Sequence, residues 1–457
     1  MNARGRAFEL LPSSILAAAA ILGVIAALQP IIAVAAGAAV VLAYIVFSDL
    51  AVGFAVLAFL SFLDTISSSS LSPAKAVGLL LVVAWIGHFS SSARGQRDFF
   101  AEHSHLTWVL IAFIGWGAVS LLWATQLGPG IASLSRYAPD MLLLPIAYTA
   151  VRTRRDLAIV LGAIVLGAIV AAGFGIAQPA DASQLVEASS RATGTIGDPN
   201  ELAAVLLVGL ALGGGFALGR GRAPLMRIAG ALAVPLCAAG VFLSLSRGGL
   251  VAMGALLVAA TIFAGRWRVA ITAMLVAVAI GGVVYFTELA PLPARERVTN
   301  TSGGSGRSDL WTVGWRMVKA HPVTGVGVGN FQAVSANYVL QPGTITRADL
   351  IFSQAPKVTH NTYLEVMAEE GVPGLLLLLA VIVTCMSCAL QAARIWARRG
   401  QASAEALARS VFLGLVGMLT ANFFISNMFS KTMWVMLAIG PAMLAIARSE
   451  GERQPLA

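Results

Sequence analysis

Charge is what this sequence has least of. Of its 457 residues only 11% are Asp, Glu, Lys or Arg, while 58% are hydrophobic, whereas about one quarter of an ordinary soluble domain is charged. That shortage excludes a water-soluble globular chain. Cysteine is scarce as well: Cys237, Cys385 and Cys388 are the only three, each inside an apolar run, so no disulfide framework is expected. Cys385 and Cys388 form a C-x-x-C, but no histidine or second cysteine pair accompanies it, and packing thiols are the better reading than zinc or redox chemistry. No Asp-x-Asp and no histidine-rich cluster occurs, so neither a metal site nor a cofactor is expected. The formal charge of +9 comes without any basic-aromatic platform, which leaves nucleic acid out as a partner.

What the sequence has instead is apolar runs of membrane-crossing length, with Gly- and Ala-rich interiors suited to close helix packing. Candidate spans fall near 14–28, 32–48, 50–66, 73–90, 106–124, 133–150, 157–177, 201–219, 228–245, 249–265, 268–288, 373–393, 406–425 and 432–447. The fold class expected is an all-α polytopic membrane protein with about 12–14 transmembrane helices. Short basic loops carrying Arg94 and Arg97, then Arg152, Arg154 and Arg155, then Arg220, Arg222 and Arg227, then Arg266 and Arg268, and finally Arg394, Arg398 and Arg399 each follow an even-numbered span. By the positive-inside rule these loops are cytoplasmic and segment 289–361 is outside. The chain is thus read as an N-terminal bundle (1–288), a large outer loop (289–372) and C-terminal membrane helices (373–457).

The polar residues are concentrated in a few places. Within the long loop, Ser308 is the expected N-cap of an amphipathic helix over 309–320, lying on or near the membrane surface and stopped by His321-Pro322. Arg307, just before it, joins a guanidinium to a helix N-terminus, a favourable place for an anion. The stretch "GVGVGNF" at 325–331 follows no strand, so it reads as tight turns rather than a nucleotide loop. Thr362 and Glu365 have capping-box spacing, so a helix is expected to start at Thr362, with Pro373 opening the next span. His360 and Asn361 then stand just outside that helix, and an imidazole there suits proton transfer near neutral pH.

Two further segments point outward. Asp198-Pro199-Asn200 reads as a turn capping the eighth span, with Arg191 as the basic residue of that segment. "SLSRGGL" places Arg247, flanked by Ser246 and Gly248, at or just below the outer interface, where a charge is costly and is a functional candidate by default. Arg136 and Asp140, four residues apart, read as a structural pair. His88, His103, His105 and His321 have no constellation around them and read as packing or loop residues.

Three arginines and one histidine on outward segments fit a diphosphate site beside a hydroxyl to be deprotonated, which in a membrane points to a polyprenyl-diphosphate-linked sugar. At this point the motifs themselves resemble a known family. His360-Asn361, nine residues, then Gly371-x-x-Gly374 is similar to the signature of the bacterial O-antigen ligase and polymerase superfamily. Arg191 with Gly194 and Pro199-Asn200, "SLSRGG" around Arg247, Arg307 with Trp311 and Trp315, and "HPVTGVGVGNF" follow in the expected order. One departure is Leu375, where many ligases have threonine.

The resemblance implies a GT-C-like membrane glycosyltransferase of the bacterial inner membrane with a periplasmic active site. It would transfer O-antigen glycan from undecaprenyl diphosphate to a hydroxyl of lipid A-core oligosaccharide, without metal and with inversion. His360 would activate the acceptor hydroxyl and Arg191, Arg247 and Arg307 would hold the diphosphate, with Asn361, Glu365, Asn200 and Ser246 in support. A polymerase joining two lipid-linked repeat units differs only in its acceptor and stays open at this point. A flippase or transporter is the reading from another class, disfavoured because no internal repeat is visible and the charges gather at one face.

Overall fold

The computed structural model describes residues 30–63, 72–91, 97–178, 191–219, 223–290, 306–341 and 357–453, with a few single positions between them. The first expected span at 14–28, residues 301–305 of the turn before Arg307, and the loop arginines Arg94, Arg220 and Arg222 lie outside the described residues. Regular structure among the described residues is helical throughout. In chain order the helices are α1 (Pro30–Ser48), α2 (Leu50–Leu60), α3 (Pro73–Ser91), α4 (Phe99–Glu102), α5 (Ser104–Ser120), α6 (Leu127–Met141), α7 (Leu143–Ala150), α8 (Arg154–Ala177), α9 (Pro199–Leu218), α10 (Pro224–Leu243), α11 (Arg247–Phe263), α12 (Arg268–Val284), α13 (Arg307–Ala320), α14 (Phe331–Val339), α15 (Thr362–Arg398), α16 (Ala402–Ala421) and α17 (Lys431–Arg453).

Seven helical segments are long and apolar enough to cross a bilayer, and five shorter apolar helices accompany them among the described residues. The chain is an all-α polytopic membrane protein. Most expected spans coincide with observed helices, but 133–150 does not form one rod. It divides into α6 and α7 around Leu142, because Pro145 has no N–H to offer the Met141 carbonyl and the helical ladder restarts there.

The centre of the bundle is built by α9, α15, α16 and α17. Leu206, Leu207, Trp396, Met418 and Trp434 are fully buried in it. Small residues allow the helices to touch: Gly440 of α17 lies against the Cys385 carbonyl of α15, closer than any Cβ would permit. Cys385 is itself a buried free thiol, as are Cys237 and Cys388, which agrees with a packing role.

The two ends of the bundle differ. At one end, Arg154 pairs with Glu450 at 2.6 Å, Arg97 donates to Ser449 at 3.0 Å, Arg399 donates to the Ala447 carbonyl at 2.9 Å, and Glu405 receives Arg266 at 2.8 Å and Arg409 at 2.9 Å. The basic loops carrying Arg97, Arg154, Arg266 and Arg399 therefore meet there. Thr362 lies at the opposite end. Its N–H donates to the Asn422 and Ile425 carbonyls, each at 2.9 Å, and its hydroxyl to the Ile425 carbonyl at 2.7 Å.

Helix α13 starts at Arg307 behind Gly306, which has φ 70°, so Ser308 is inside the helix and is not its cap. Its apolar stripe is covered by protein rather than lying on lipid. Leu310, Val313 and Met317 form a small second core with Phe331, Val334 and Leu364. Only Trp315, 51% exposed, keeps an outward aromatic face.

Replacing Gly440 by valine should push α15 from α17 and cost about 1–3 kcal/mol of stability, the usual range for overpacking a tight contact. Thermal unfolding of the detergent-solubilised protein measures it.

Candidate functional site

The site is built around the first turns of α15. This helix does not run straight: at Gly371 the backbone adopts φ 72° and ψ −176°. The left-handed φ favours glycine, and a Cβ at this position would collide with the Val323 carbonyl. The segment after α13 returns to meet the bend. Val326 N–H donates to the Ala368 carbonyl at 3.0 Å, Gly327 N–H to the Glu369 carbonyl at 2.8 Å, and Val372 N–H to the Pro322 carbonyl at 2.8 Å.

The buried Glu369 carboxylate completes this joint. It accepts from Gly329 N–H at 2.8 Å and from Phe331 N–H at 2.9 Å. Because Phe331 opens α14, the carboxylate does for that helix what a cap would do, and Asn330 makes no side-chain cap bond of its own. Asn330 instead exchanges hydrogen bonds with Gln126 at 2.8 and 3.0 Å, while Trp116 Nε1 donates to the Glu370 carbonyl at 2.7 Å. Thus "GVGVGNF" is a set of tight turns, as expected, whose work is to dock the outer segment on α15 and α5.

Asn361 caps α15: its side-chain oxygen accepts from Tyr363 and Leu364 N–H, both at 3.1 Å. The expected Thr362–Glu365 capping box is not formed. Thr362 is engaged by Ile425, and Asn427 N–H donates to its hydroxyl at 2.9 Å. Glu365 accepts from the hydroxyls of Thr359, at 3.0 Å, and Ser426.

His360 stands between these fixed neighbours, half-buried, with φ 51°. Trp311 Nε1 donates to the Thr359 carbonyl at 3.0 Å, holding the residue before it. Left-handed backbone in a non-glycine residue costs energy and persists where surroundings enforce it; Leu245, two residues before Arg247, is the other instance among the described residues. Burial holds the His360 imidazole below the usual histidine pKa, and the cations of Arg307 and Lys357 lower it further, opposed by the Asp198 carboxylate. These shifts favour the neutral form of the ring, the form able to accept a proton.

The arginines come from neighbouring elements. Arg191 Nε donates to the Ser244 carbonyl at 2.8 Å and its Nη2 to Asn200 Oδ1 at 3.0 Å. Ser246 donates to the same Asn200 oxygen at 2.9 Å and accepts from Gly249 N–H at 3.1 Å, capping α11. Arg247 is the first residue of that helix. Asp198 caps α9 through Asn200 and Glu201 N–H at 2.7 and 3.0 Å, as the Asp-Pro-Asn turn foretold. Arg307 opens α13 and acts electrostatically on His360.

Contacts join these pieces. Gly248, beside Arg247, is pressed against the Phe424 side chain, and Phe424 lies 6.4 Å from the Trp311 ring. All eight residues singled out in the sequence are at the end of the bundle opposite the arginine-rich loops. Sequence reasoning missed Glu369, Asn330 and Ser426, whose partners are far away in the chain. The short spacing between the glycines and the carboxylates was the only available signal for Glu369.

Three or more His, Cys, Asp or Glu side chains placed to hold a metal ion are not found among the described residues. What the arrangement offers is guanidinium groups for an anion beside an imidazole. Replacing Glu369 by alanine would orphan two backbone N–H groups and should cost about 2–6 kcal/mol, given about 1–3 kcal/mol for each buried group left unpaired. The melting temperature of the purified protein checks this.

Residues 232–379 match a protein family described as O-antigen ligase. That segment contains Arg247, Arg307 and His360, whereas Arg191 lies before it. No curated protein matches the chain significantly. The matched segment is similar to the O-antigen ligase family, which supports the likeness of the chain to the O-antigen ligase and polymerase superfamily.

Proposed function

We propose that this member of the O-antigen ligase and polymerase superfamily transfers a glycan from undecaprenyl diphosphate to a hydroxyl of lipid A-core oligosaccharide, at the periplasmic face of the inner membrane. The observation that carries the reading is the placement of His360, held with left-handed backbone at the start of α15 with Arg307 close enough to act on it. Support for the orientation comes from the arginine pairs gathered at the far end of the bundle, which the positive-inside rule assigns to the cytoplasm.

In this mechanism Arg191, Arg247 and Arg307 hold the two phosphates. The acceptor oxygen attacks the anomeric carbon from the face opposite the diphosphate as His360 takes the hydroxyl proton. The bond from that carbon to the phosphate oxygen breaks, and its electron pair leaves on the diphosphate, whose growing charge the guanidinium groups stabilise. The proton stays on the imidazolium until solvent removes it. One displacement inverts the anomeric configuration, and no metal is required.

Asn361 and Glu365 act through position in this reading: one caps the helix that presents His360, and the other fastens Thr359 to Ser426. Asn200 and Ser246 orient Arg191 and the start of α11. A polymerase would use the same residues with a second lipid-linked repeat unit as acceptor. Offering purified protein the lipid-linked donor with either acceptor decides between the two.

His360→Ala should leave membrane insertion intact and lower the transfer rate about 10²–10⁴-fold, the usual contribution of a general base. A fully active variant would remove the assignment. Transfer should continue in EDTA, measured with the same donor.

The pH profile gives a further check. The working form of His360 is the neutral one, so the rate should fall as pH drops through its lowered pKa, below the ordinary histidine range near 6.5. Arg307→Ala removes a cation that lowers that pKa, and should move the acidic limb to higher pH as well as weakening the donor. Asp198→Asn keeps a capping side chain but removes the opposing anion, and should move the limb lower.

A further inference from the structure

A cavity of about 530 Å³ lies apart from these residues, between α2, α3, α6, α7 and the start of α17. Among the described residues its charged lining is Lys75, Arg136, Lys431 and Asp140. Lys75 is in the first turn of α3 and Lys431 is the first residue of α17, and neither helix has an acidic residue in its first turn. Two helix N-termini, each already positive through its macrodipole, therefore bring a lysine as well to the same cavity. A helix start favours an anion, and here two such starts and their lysines face one cavity.

The walls specify what kind of anion. Lys75, Leu79 and Val82 follow one another along one face of α3, at i, i+4 and i+7, and all line the cavity. Leu79 is 64% exposed. A ligand seated on the lysines would thus have an apolar track leading along the helix, which a free phosphate has no use for. The guanidinium of Arg136 is fixed over the Phe429 ring, 5.2 Å from its centroid, so it is presented rather than loosely solvated. Phe429 in turn stacks on Tyr137 at 5.0 Å.

We propose that this cavity seats the phosphate headgroup of an anionic lipid, with acyl chains along Leu79 and Val82, at a site separate from that of the transferred glycan. It lies at the same end of the bundle as His360, since Thr432 beside Lys431 bonds Ser61 at the end of α2, and α17 follows directly on the turn that braces Thr362. Arg136 and Asp140, expected from the sequence to form a structural pair, both line this cavity, where Arg136 is set over the Phe429 ring.

The test uses the full purified chain, stripped of lipid in a neutral detergent and titrated with phosphatidylglycerol or with phosphatidylcholine of the same acyl chains, bound lipid being counted by native mass spectrometry. Phosphatidylglycerol should be retained in preference to phosphatidylcholine. Lys75→Ala alone should weaken it about fivefold, and Lys75→Ala with Lys431→Ala about 25-fold, as expected for cations at a membrane surface. Lys75→Arg with Lys431→Arg should restore retention, which separates loss of charge from loss of fold. Equal retention of the two lipids, unchanged affinity in the double alanine variant, or displacement of the lipid by inorganic phosphate at comparable concentration would each overturn the proposal. His360→Ala should bind the lipid normally, so failure of the transfer mechanism and failure of this site are told apart.

Discussion

The bend of α15 at Gly371 is the joint on which the rest depends. A membrane helix and an outer helical segment would ordinarily be free to shift against each other across a loop. Here they are one element, turned at a single glycine and locked by the return segment, with the Val323 carbonyl occupying the space where a side chain would be. Glu369 makes the lock specific, because its two oxygens take two backbone N–H groups that the turns leave pointing inward. The position of His360 is therefore inherited from the bundle through the first nine residues of the helix it precedes.

Arginine does two different jobs in this protein, and its surroundings distinguish them. At the loop-rich end, guanidinium groups meet carboxylates or terminal helix carbonyls, as with Arg154 and Glu450 or Arg399 and Ala447. At the other end, Arg191 is oriented by neutral partners, a backbone carbonyl and an amide oxygen. Neutral partners position a cation without cancelling its charge, which suits the proposed diphosphate site. The same logic keeps Asn200 between Arg191 and Ser246, where an aspartate would have quenched the field.

Local signals in the sequence were read well when their partners are also local. Asp198 lies within three residues of the N–H groups it caps, those of Asn200 and Glu201, and the cap over α9 is as expected. The apolar runs likewise become helices, because twenty residues of hydrocarbon leave little else to form. Where the reading failed, the competing partner was remote in sequence. Thr362 has the spacing of a capping box, yet its hydroxyl is claimed by the Ile425 carbonyl, 63 residues away, and Glu365 by Ser426, 61 residues away. Asn361 then takes over the cap. Ser308 lost its expected place to Gly306, whose left-handed backbone starts α13 two residues earlier. The amphipathic stripe of α13 was correctly periodic, but periodicity does not say whether lipid or protein will cover it, and Phe331 and Leu364 do.

The boundaries of the family match run from within α10 to just past the bend, 232–379, and the bonds that shape the site cross both of them. Arg191 and Asn200 lie upstream, while Asn422, Ile425, Ser426 and Asn427 lie downstream and hold the start of α15. A fragment cut at the limits of that match would keep the histidine and lose what orients it. The smallest autonomous unit of this protein is consequently far larger than its recognisable motif.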